Sequence, residues 1–136
     1  MDFARISTIA VVGLSDKPDR PSYQVARYLQ EQGYRIIPVN PGVAWVLGEK
    51  SYPSLKDIPP EISVDVVDIF RQPVAVPAVV EEAIQRGVKV IWMQEGISHP
   101  EAAARAREAG IEVIMDRCLK KEHMRFKSRE AEEARI

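Results

Sequence analysis

A hydroxyl and two cations follow the first apolar run of the chain, at a spacing suited to holding a phosphate group. The run covers residues 9–12, Gly13 comes next, and the polar side chains are Ser15, Lys17 and Arg20. Glycine allows the backbone to turn sharply and to approach a ligand closely. The helix predicted after this turn adds unpaired N–H groups and the positive end of its dipole. This stretch therefore predicts a phosphate cradle for a nucleotide-like ligand, with a solvated connecting loop as the alternative.

The turn differs from the glycine-rich fingerprint of dinucleotide-binding proteins. That fingerprint is Gly-x-Gly-x-x-Gly, with an acidic residue about 20 positions further on. Here Gly13 is the only one of the three glycines, and Asn40-Pro41 stands at the place of the acidic residue. An NAD(P)-binding redox protein or sensor is therefore disfavoured, although it stays open as an alternative.

Cys118 is a second candidate for chemistry, because it follows Asp116 and Arg117 directly. An adjacent guanidinium favours the reactive thiolate, whereas the aspartate opposes it. A thiol-dependent enzyme that uses Cys118 is one reading, and a buried structural cysteine is the other. With one cysteine, an intramolecular disulfide and metal sites built on paired cysteines are excluded, and no metal site is predicted.

Five apolar runs alternate with helical patterns, and these elements must position the candidate residues. Strands are predicted at 9–12, 34–39, 64–70, 88–93 and 111–115. Helices are predicted at about 22–32 and 74–86, from 98 up to Gly110, and beyond about 120, with one helical turn at 54–58. No pattern suggests a hairpin. This order predicts an α/β fold: a Rossmann-like, doubly wound, parallel five-stranded sheet with helices on both faces.

In such a sheet, ligands bind beyond the carboxyl ends of the strands, where the strand order reverses. Polar side chains cluster after the predicted strand ends: Ser15 and Lys17, Asn40, Arg71 and Gln72, Gln94 and Glu95, and Asp116 and Arg117. We therefore expect them to surround one mouth.

Local signals add further expectations. Ser22 is predicted to cap the first helix, and Ser98 with Glu101 forms a capping box for the third. Trp45 and Trp92 are candidates for the core. The two histidines, His99 and His123, are expected on the surface of helices.

Composition limits the function classes. The 136 residues, 46% of them hydrophobic, predict a single domain over 1–136 with a charged helical tail from about 120 that frays near Ile136. A net charge of −1 gives no reason to expect binding to nucleic acid or membranes. The N-terminus lacks the pattern of a signal peptide, and no apolar run approaches the length of a membrane span. The expectation is a soluble cytoplasmic protein.

Seven short motifs occur in order along the chain. They are Val-Val-Gly-Leu-Ser at 11–15, Arg-Pro-Ser-Tyr at 20–23, Tyr-Leu-Gln-Glu-Gln-Gly-Tyr at 28–34, Pro-Val-Asn-Pro at 38–41, Asp-Ile-Phe-Arg-Gln-Pro at 68–73, Trp-Met-Gln-Glu-Gly-Ile at 92–97 and Asp-Arg-Cys at 116–118. Together they resemble the stand-alone CoA-binding domain family. That family is similar to the N-terminal domain of the succinyl-CoA synthetase alpha subunit.

The resemblance implies coenzyme A, or an acyl-CoA, as the ligand. It assigns the pyrophosphate to the first loop, with Gly13, Leu14, Ser15 and Lys17, and gives Arg20 a supporting role there or at the ribose phosphate. It implies an adenine or ribose wall at Val39, Asn40 and Pro41, and an opposite wall at Phe70, Arg71, Gln72 and Pro73. It implies a pantetheine path near Gln94, Glu95 and Gly96.

Two departures from the synthetase pattern limit what is implied. The lysine expected after the Pro-Gly turn is Val43 here, so Lys17 or Arg20 is expected to replace it at the 3′-phosphate. The resemblance also leaves out the phosphohistidine domain and the nucleotide-binding partner subunit, so ligase chemistry is not implied. The expected role is a carrier, sensor or subunit, with a homodimer or an unidentified protein partner left open.

Overall fold

Seven strands occur in the computed structural model, which describes residues 1–135. Their bounds are β1 Thr8–Val12, β2 Arg35–Val39, β3 Trp45–Val46, β4 Glu49–Lys50, β5 Val66–Ile69, β6 Val90–Met93 and β7 Glu112–Ile114. Five of them form a parallel sheet in the order β2-β1-β5-β6-β7. This confirms the predicted parallel five-stranded sheet. Strand β1 begins one residue earlier than predicted, and the other four strands are shorter than their predicted spans.

Four α-helices cover the two faces of this sheet: α1 Pro21–Glu31, α2 Val76–Arg86, α3 Pro100–Glu108 and α4 Leu119–Glu133. Contacts join α1 to α4 and α2 to α3. Short 3₁₀ turns lie at Phe3–Arg5, Leu55–Asp57 and Pro73–Ala75. The turn at 55–57 confirms the helical turn predicted at 54–58, and the double-sided arrangement confirms the doubly wound fold.

Strand alternation divides the core into two layers. Ile9 and Val11 of β1 pack with α1 and α4, whereas Ala10 and Val12 pack with α2 and α3. All five residues of β1 are buried because this strand has a neighbour on each side and helices on each face. Trp92 is 3% exposed in the first layer, as predicted for a core residue.

The strand order reverses between β1 and β5. From β1 the chain runs through α1 to β2 on one side, and it then returns to β5 on the other side of β1. Helix α1 covers one face, and the helices after β5 and β6 cover the opposite face. A crevice therefore opens at the carboxyl ends of β1 and β5, where Gly13 and Phe70 lie.

Asp65 ties the amino ends of the central strands together. Its Oδ2 accepts hydrogen bonds from the Ser7 and Thr8 N–H groups at 2.9 and 3.0 Å and from the Ser7 hydroxyl at 3.0 Å. The Lys89 Nζ lies 3.2 Å from Oδ1. Burial by itself raises the pKa of this carboxyl, but the hydrogen bonds outweigh it and hold the pKa below its ordinary value.

The expectation that the chain has no hairpin was wrong. Strands β3 and β4 are antiparallel and are joined by Leu47 and Gly48, with φ angles of 55° and 76°. Two positive φ angles in a two-residue loop match a type I′ turn, for which Asn-Gly is the usual sequence signal. Because Leu47 stands at the first loop position, the sequence lacks that signal. Trp45, expected in the core, lies on this hairpin and is 64% exposed.

Two predicted caps were also wrong. Helix α1 begins at Pro21 with Arg20 at the cap position, and the Ser22 hydroxyl instead accepts a hydrogen bond from the Ser15 N–H. Helix α3 is capped by His99, whose Nδ1 accepts from the Ala102 N–H at 3.1 Å, rather than by Ser98. In both cases a proline takes the first helical position, where its missing N–H is not needed.

His123 was expected on the surface and is 2% exposed. Its ring lies among Phe3, Tyr28, Tyr34 and Phe126, and the Tyr28 hydroxyl is 2.7 Å from Nδ1. Burial lowers the pKa of His123, and the Lys127 ammonium adds to the effect. The charged residues around it in sequence gave α4 a solvated pattern, but His123 lies on the side of α4 that faces α1 and the N-terminal segment.

Between residues 1 and 135, none of the helices is both long and apolar enough to cross a membrane. The predicted fraying near Ile136 lies outside the described residues.

Candidate functional site

A polar cleft of about 310 Å³ opens at the crevice between β1 and β5, on the α1 face of the sheet. It is lined by residues of the β1–α1 loop, the start of α1 and the end of β5: Gly13, Ser15, Lys17, Arg20, Pro21, Ser22 and Phe70. The four polar or glycine positions predicted for a phosphate, Gly13, Ser15, Lys17 and Arg20, thus line one cleft. Ser22 and Pro21 were not predicted as site residues.

Hydrogen bonds fix the shape of this loop. The Ser15 N–H donates to the Ser22 hydroxyl at 3.0 Å, and the Lys17 N–H donates to the Ser15 hydroxyl at 3.1 Å. The Ser15 oxygen therefore acts as an acceptor within the loop, which leaves its own hydrogen available to a ligand. Leu14 is fully buried, so its side chain anchors the loop in the core.

Three cations near the β1–β5 crevice have no acidic partner. Lys17, Arg20 and Arg71 make no ion pair with any of residues 1–135, whereas Arg105, Lys121 and Arg125 are each paired with a glutamate. The two aspartates of the loop, at positions 16 and 19, do not line the cleft. The polar cleft therefore presents an excess of positive charge, which suits an anion.

A second, smaller cleft of about 130 Å³ lies on the α2 face of the same edge. Most of its walls are apolar, and its two charged residues are Arg71 and Glu82. The lining residues are Val12, Val39, Pro41, Pro53, Ser54, Leu55, Arg71, Val79 and Glu82. Three of these, Val39, Pro41 and Arg71, were predicted. The others were not predicted. Pro53, Ser54 and Leu55 were missed because their segment reaches the end of β2 through the Val39–Tyr52 bridge, a contact between segments far apart in sequence.

Asn40 joins the two loops rather than facing either cleft. Its side-chain amide donates to the Leu14 carbonyl at 3.0 Å, and its Oδ1 accepts from the Gly42 N–H at 3.0 Å. Its backbone N–H donates to the Tyr52 carbonyl. Asn40 thus positions the first loop against the end of β2.

The first two residues after β5 line different clefts. Phe70 lines the polar cleft and Arg71 lines the apolar one, because successive residues of an extended chain point to opposite faces. Gln72 and Pro73 are exposed and line neither cleft.

The predicted pantetheine residues connect the β6 loop to its neighbours. Gln94 is buried, and its Oε1 accepts from the Leu119 N–H at the start of α4. The Glu95 carboxylate lies 3.1 Å from the Lys121 Nζ, and the Gly96 N–H donates to Asp116 Oδ1 at 2.7 Å. None of the three lines either cleft, so their place on a ligand path stays a prediction.

Cys118 is partly buried at the cap position of α4, with no hydrogen bond from its side chain to the helix. The neighbouring Arg117 guanidinium lies 3.5 Å from the Glu122 carboxylate, whose negative charge offsets the positive charge that would favour a thiolate. Thiol chemistry at Cys118 therefore stays a prediction. Over residues 1–135, no group of three or more histidine, cysteine, aspartate or glutamate side chains is arranged to hold a metal ion.

A cavity of about 420 Å³ lies elsewhere, between α4, the N-terminal residues and the edge of the sheet at β7. Its floor includes Phe3, Trp92, Ile114 and Phe126, and its charged rim carries both signs. It is larger than the polar cleft but lacks the excess of unpaired cations that marks the carboxyl edge.

Comparisons with known proteins find similar sequences and similar solved structures. A family model described as "CoA binding domain" matches residues 7–124. The chain is 45% identical over 119 residues to the uncharacterized protein YneT of Bacillus subtilis, covering 88% of this chain and 87% of that protein. A hypothetical protein from Pyrococcus horikoshii OT3 has a similar solved structure, with a TM-score of 0.86, 44% identity and coverage of 90% and 84%. Acetate–CoA ligase (ADP-forming) II of Archaeoglobus fulgidus is 33% identical over 84 residues, which are 60% of this chain and 12% of the ligase.

Proposed function

Because the chain belongs to the CoA binding domain family, we propose that it binds coenzyme A, free or acylated, across the carboxyl edge of its sheet. The observation that carries this proposal is the pair of clefts on the two sides of the β1–β5 crevice. One is polar and lined by two unpaired cations, and the other is small and mainly apolar. A nucleotide has the same division between charged phosphates and an apolar base.

The pyrophosphate takes the polar cleft. The ammonium of Lys17 and the guanidinium of Arg20 neutralise it, the Ser15 hydroxyl donates a hydrogen bond, and the amino end of α1 adds its dipole. The adenine takes the apolar cleft, between Val39 and Pro41 on one side and Arg71 on the other. The pantetheine arm then leaves toward the loop at Gln94, Glu95 and Gly96.

The same geometry supports CoA over a dinucleotide. A dinucleotide site of the usual kind has an acidic side chain at the end of the second strand, where it binds the ribose hydroxyls. Asn40 stands there, and its amide is already used to hold Leu14 and Gly42. Only Gly13 of the three fingerprint glycines is present.

The role proposed for the chain is that of a CoA carrier, sensor or subunit, without ligase chemistry of its own. Its match to the Archaeoglobus ligase spans only 12% of that protein. The catalytic machinery of a ligase would therefore have to come from elsewhere.

Thermal unfolding with added ligand tests the proposal. A ligand that binds only the native state stabilises it by about 2.7 kcal/mol at 100 times its Kd. We expect CoA to raise the Tm and NAD at the same concentration to leave it unchanged. An equal or larger shift with NAD, or no shift with CoA, would reject the proposal.

Lys17→Ala is the matching substitution. Loss of one charge-assisted contact is expected to weaken CoA binding by about 1.5–3 kcal/mol, measured by titration calorimetry, while the Tm without ligand stays unchanged because the side chain is exposed. Lys127→Ala, which removes an exposed lysine of α4, serves as the control and should bind CoA like the original chain. Equal CoA affinities for Lys17→Ala and the control would show that the pyrophosphate does not bind in the polar cleft.

A further inference from the structure

Arg71 is the single cation among the residues that line the apolar cleft. It is partly buried, and its side chain makes no hydrogen bond or ion pair with any of residues 1–135. A guanidinium at the mouth of an apolar pocket, with none of its five donors engaged, suits an anion that arrives with an apolar group.

Coenzyme A carries such an anion. Besides its pyrophosphate it has a phosphate on the 3′ position of the ribose, and the ribose also bears the adenine. With the pyrophosphate in the polar cleft and the adenine in the apolar cleft, the ribose lies across the sheet edge between them. Its 3′-phosphate then stands at the entrance of the apolar cleft, beside Arg71 rather than beside the loop cations.

We propose that Arg71 binds the 3′-phosphate and so distinguishes CoA from dephospho-CoA, an inference that rests on the proposed function. It replaces the expectation that Lys17 or Arg20 performs this task, since both line the polar cleft on the opposite face. Val43, at the position of the missing lysine, packs its side chain against the core layer of α1 and α4 and offers no charge. Arginine fits a phosphate through two parallel hydrogen bonds, which lysine cannot make.

Glu82 is the one opposing group in the cleft. Its Oε1 accepts a hydrogen bond from the Lys56 N–H at 3.3 Å, and no ion pair joins it to Arg71. The carboxylate is therefore directed toward the segment at Lys56, and Arg71 remains available to the ligand.

The test measures the Kd of CoA and of dephospho-CoA for the original chain, Arg71→Ala, Arg71→Lys and Lys17→Ala, with Arg35→Ala as the control. Arg35 is an exposed arginine at the opposite, amino end of β2. We expect the original chain and the control to prefer CoA by about 10- to 100-fold, the range that a charge-assisted hydrogen bond supplies. Arg71→Ala should bind the two ligands almost equally by weakening CoA alone, and Arg71→Lys should be intermediate. Lys17→Ala should weaken both ligands and keep their ratio.

The outcomes separate the two proposals. Binding of neither ligand by the original chain would reject the proposed function and this inference together. Binding with no preference for CoA, a preference that survives in Arg71→Ala, or a preference lost in Lys17→Ala would reject the role of Arg71 alone. Circular dichroism of each variant confirms that the fold is intact, as expected because the Arg71 side chain makes no hydrogen bond or ion pair within residues 1–135.

Discussion

Gly13, just after β1, lies against the backbone of Phe70, just after β5. Its φ is +89°, and a Cβ added there would overlap the carbonyl oxygen of Phe70. The sequence suggested that this glycine serves the approach of a ligand. In the structure the backbone of the neighbouring strand already requires it, whether or not a ligand is bound.

Gly13→Ala is therefore expected to destabilise the fold by about 2–4 kcal/mol, from left-handed backbone strain and displacement of the strand ends. The free energy of unfolding in urea measures it. Gly42→Ala is the matched control, since no positive φ occurs there and the nearest atom, Asn40 Oδ1, lies 3.6 Å away. That variant should change stability by less than about 1 kcal/mol. Similar free energies of unfolding for the two variants would mean that the backbone where β1 and β5 end can shift at little cost to accept a Cβ.

Asp68 is fully buried on β5, and neither of its carboxyl oxygens has a hydrogen-bond partner in the part of the chain described, 1–135. Its neighbours across the sheet are Val11 and Trp92. Burial raises the pKa of this carboxyl well above its ordinary value of 3.8. Asp65, three residues earlier, shows the opposite case, in which hydrogen bonds lower the pKa.

Because the pKa of Asp68 is higher in the folded state than in the unfolded state, this residue makes the free energy of unfolding fall as the pH rises. The unfolded chain loses this proton near pH 3.8, whereas the folded chain keeps it to a much higher pH. The stabilisation is therefore complete below about pH 4 and is lost toward the folded pKa, at about 1.4 kcal/mol per pH unit. Asp68→Asn removes this component, so its unfolding free energy should fall less between pH 5 and pH 7 than that of the original chain. Parallel profiles would show that Asp68 is ionised in the folded protein.

Asp65→Asn provides the contrast. Because the pKa of Asp65 is lowered on folding, its contribution is present above about pH 4 and is lost as the pH falls. This variant should be less stable at neutral pH while keeping the Asp68-dependent slope.

Arg86 fastens the irregular segment 55–62 to the end of α2. Its two terminal nitrogens donate to four backbone carbonyls, those of Leu55, Ile58, Pro59 and Ile62, at 2.5–3.1 Å. Three prolines in or beside this segment, at positions 53, 59 and 60, limit its own backbone hydrogen bonds. A side chain on a neighbouring helix thus supplies the donors, and the wall of the apolar cleft formed by residues 53–55 depends on it.

Arg86→Ala is expected to lower the free energy of unfolding by about 2–4 kcal/mol, because several carbonyls lose a charged donor at once. Arg86→Lys should recover only part of this, since an ammonium cannot span four acceptors in a plane. The comparison is Arg105→Ala, which breaks an exposed ion pair with Glu81 and should change stability by less than about 1 kcal/mol. If Arg86→Ala lowers the free energy of unfolding no more than Arg105→Ala does, the segment 55–62 does not depend on Arg86 for its position.

In a chain whose net charge is only −1, two cations that form no ion pair within residues 1–135, Lys17 and Arg20, line the polar cleft. The attraction for a phosphate ligand is therefore local and exposed to solvent, where salt screens it over about 10 Å at 0.1 M and about 3 Å at 1 M. Stability has a different source, the two apolar layers around the sheet.

Raising the sodium chloride concentration from 20 mM to 1 M should consequently weaken CoA binding by roughly tenfold, while the free energy of unfolding changes by less than about 1 kcal/mol. Titration calorimetry and urea unfolding at each concentration measure the two effects. Lys17→Ala should show a smaller salt dependence of binding. An affinity that does not respond to salt would contradict phosphate contacts at the exposed cations.

The sequence by itself determined the parallel sheet and the edge at which the candidate site lies. Buried parallel strands leave continuous apolar runs, and helices leave a 3.6-residue period, so both patterns are local and can be recognised without coordinates. Because all carboxyl ends of parallel strands meet at one edge, the placement of Ser15, Lys17, Asn40 and Arg71 at that edge followed from the common direction of the strands. Trp92 in the core followed from its strand in the same way.

Only the tertiary structure decided which of these residues face a cleft and which hold the protein together. Asn40 and Gln94 have the polarity of ligand-binding residues, but hydrogen bonds to distant backbone groups occupy them. His123 is buried because it packs against aromatic side chains of α1 and the N-terminal segment. Trp45 is exposed because it lies on the outward side of a hairpin strand whose next residue, Val46, packs into the core. Arg71 stands on the opposite face from Lys17 because the extended chain alternates sides at the end of β5. Such outcomes depend on contacts between segments far apart in sequence, which local patterns do not encode.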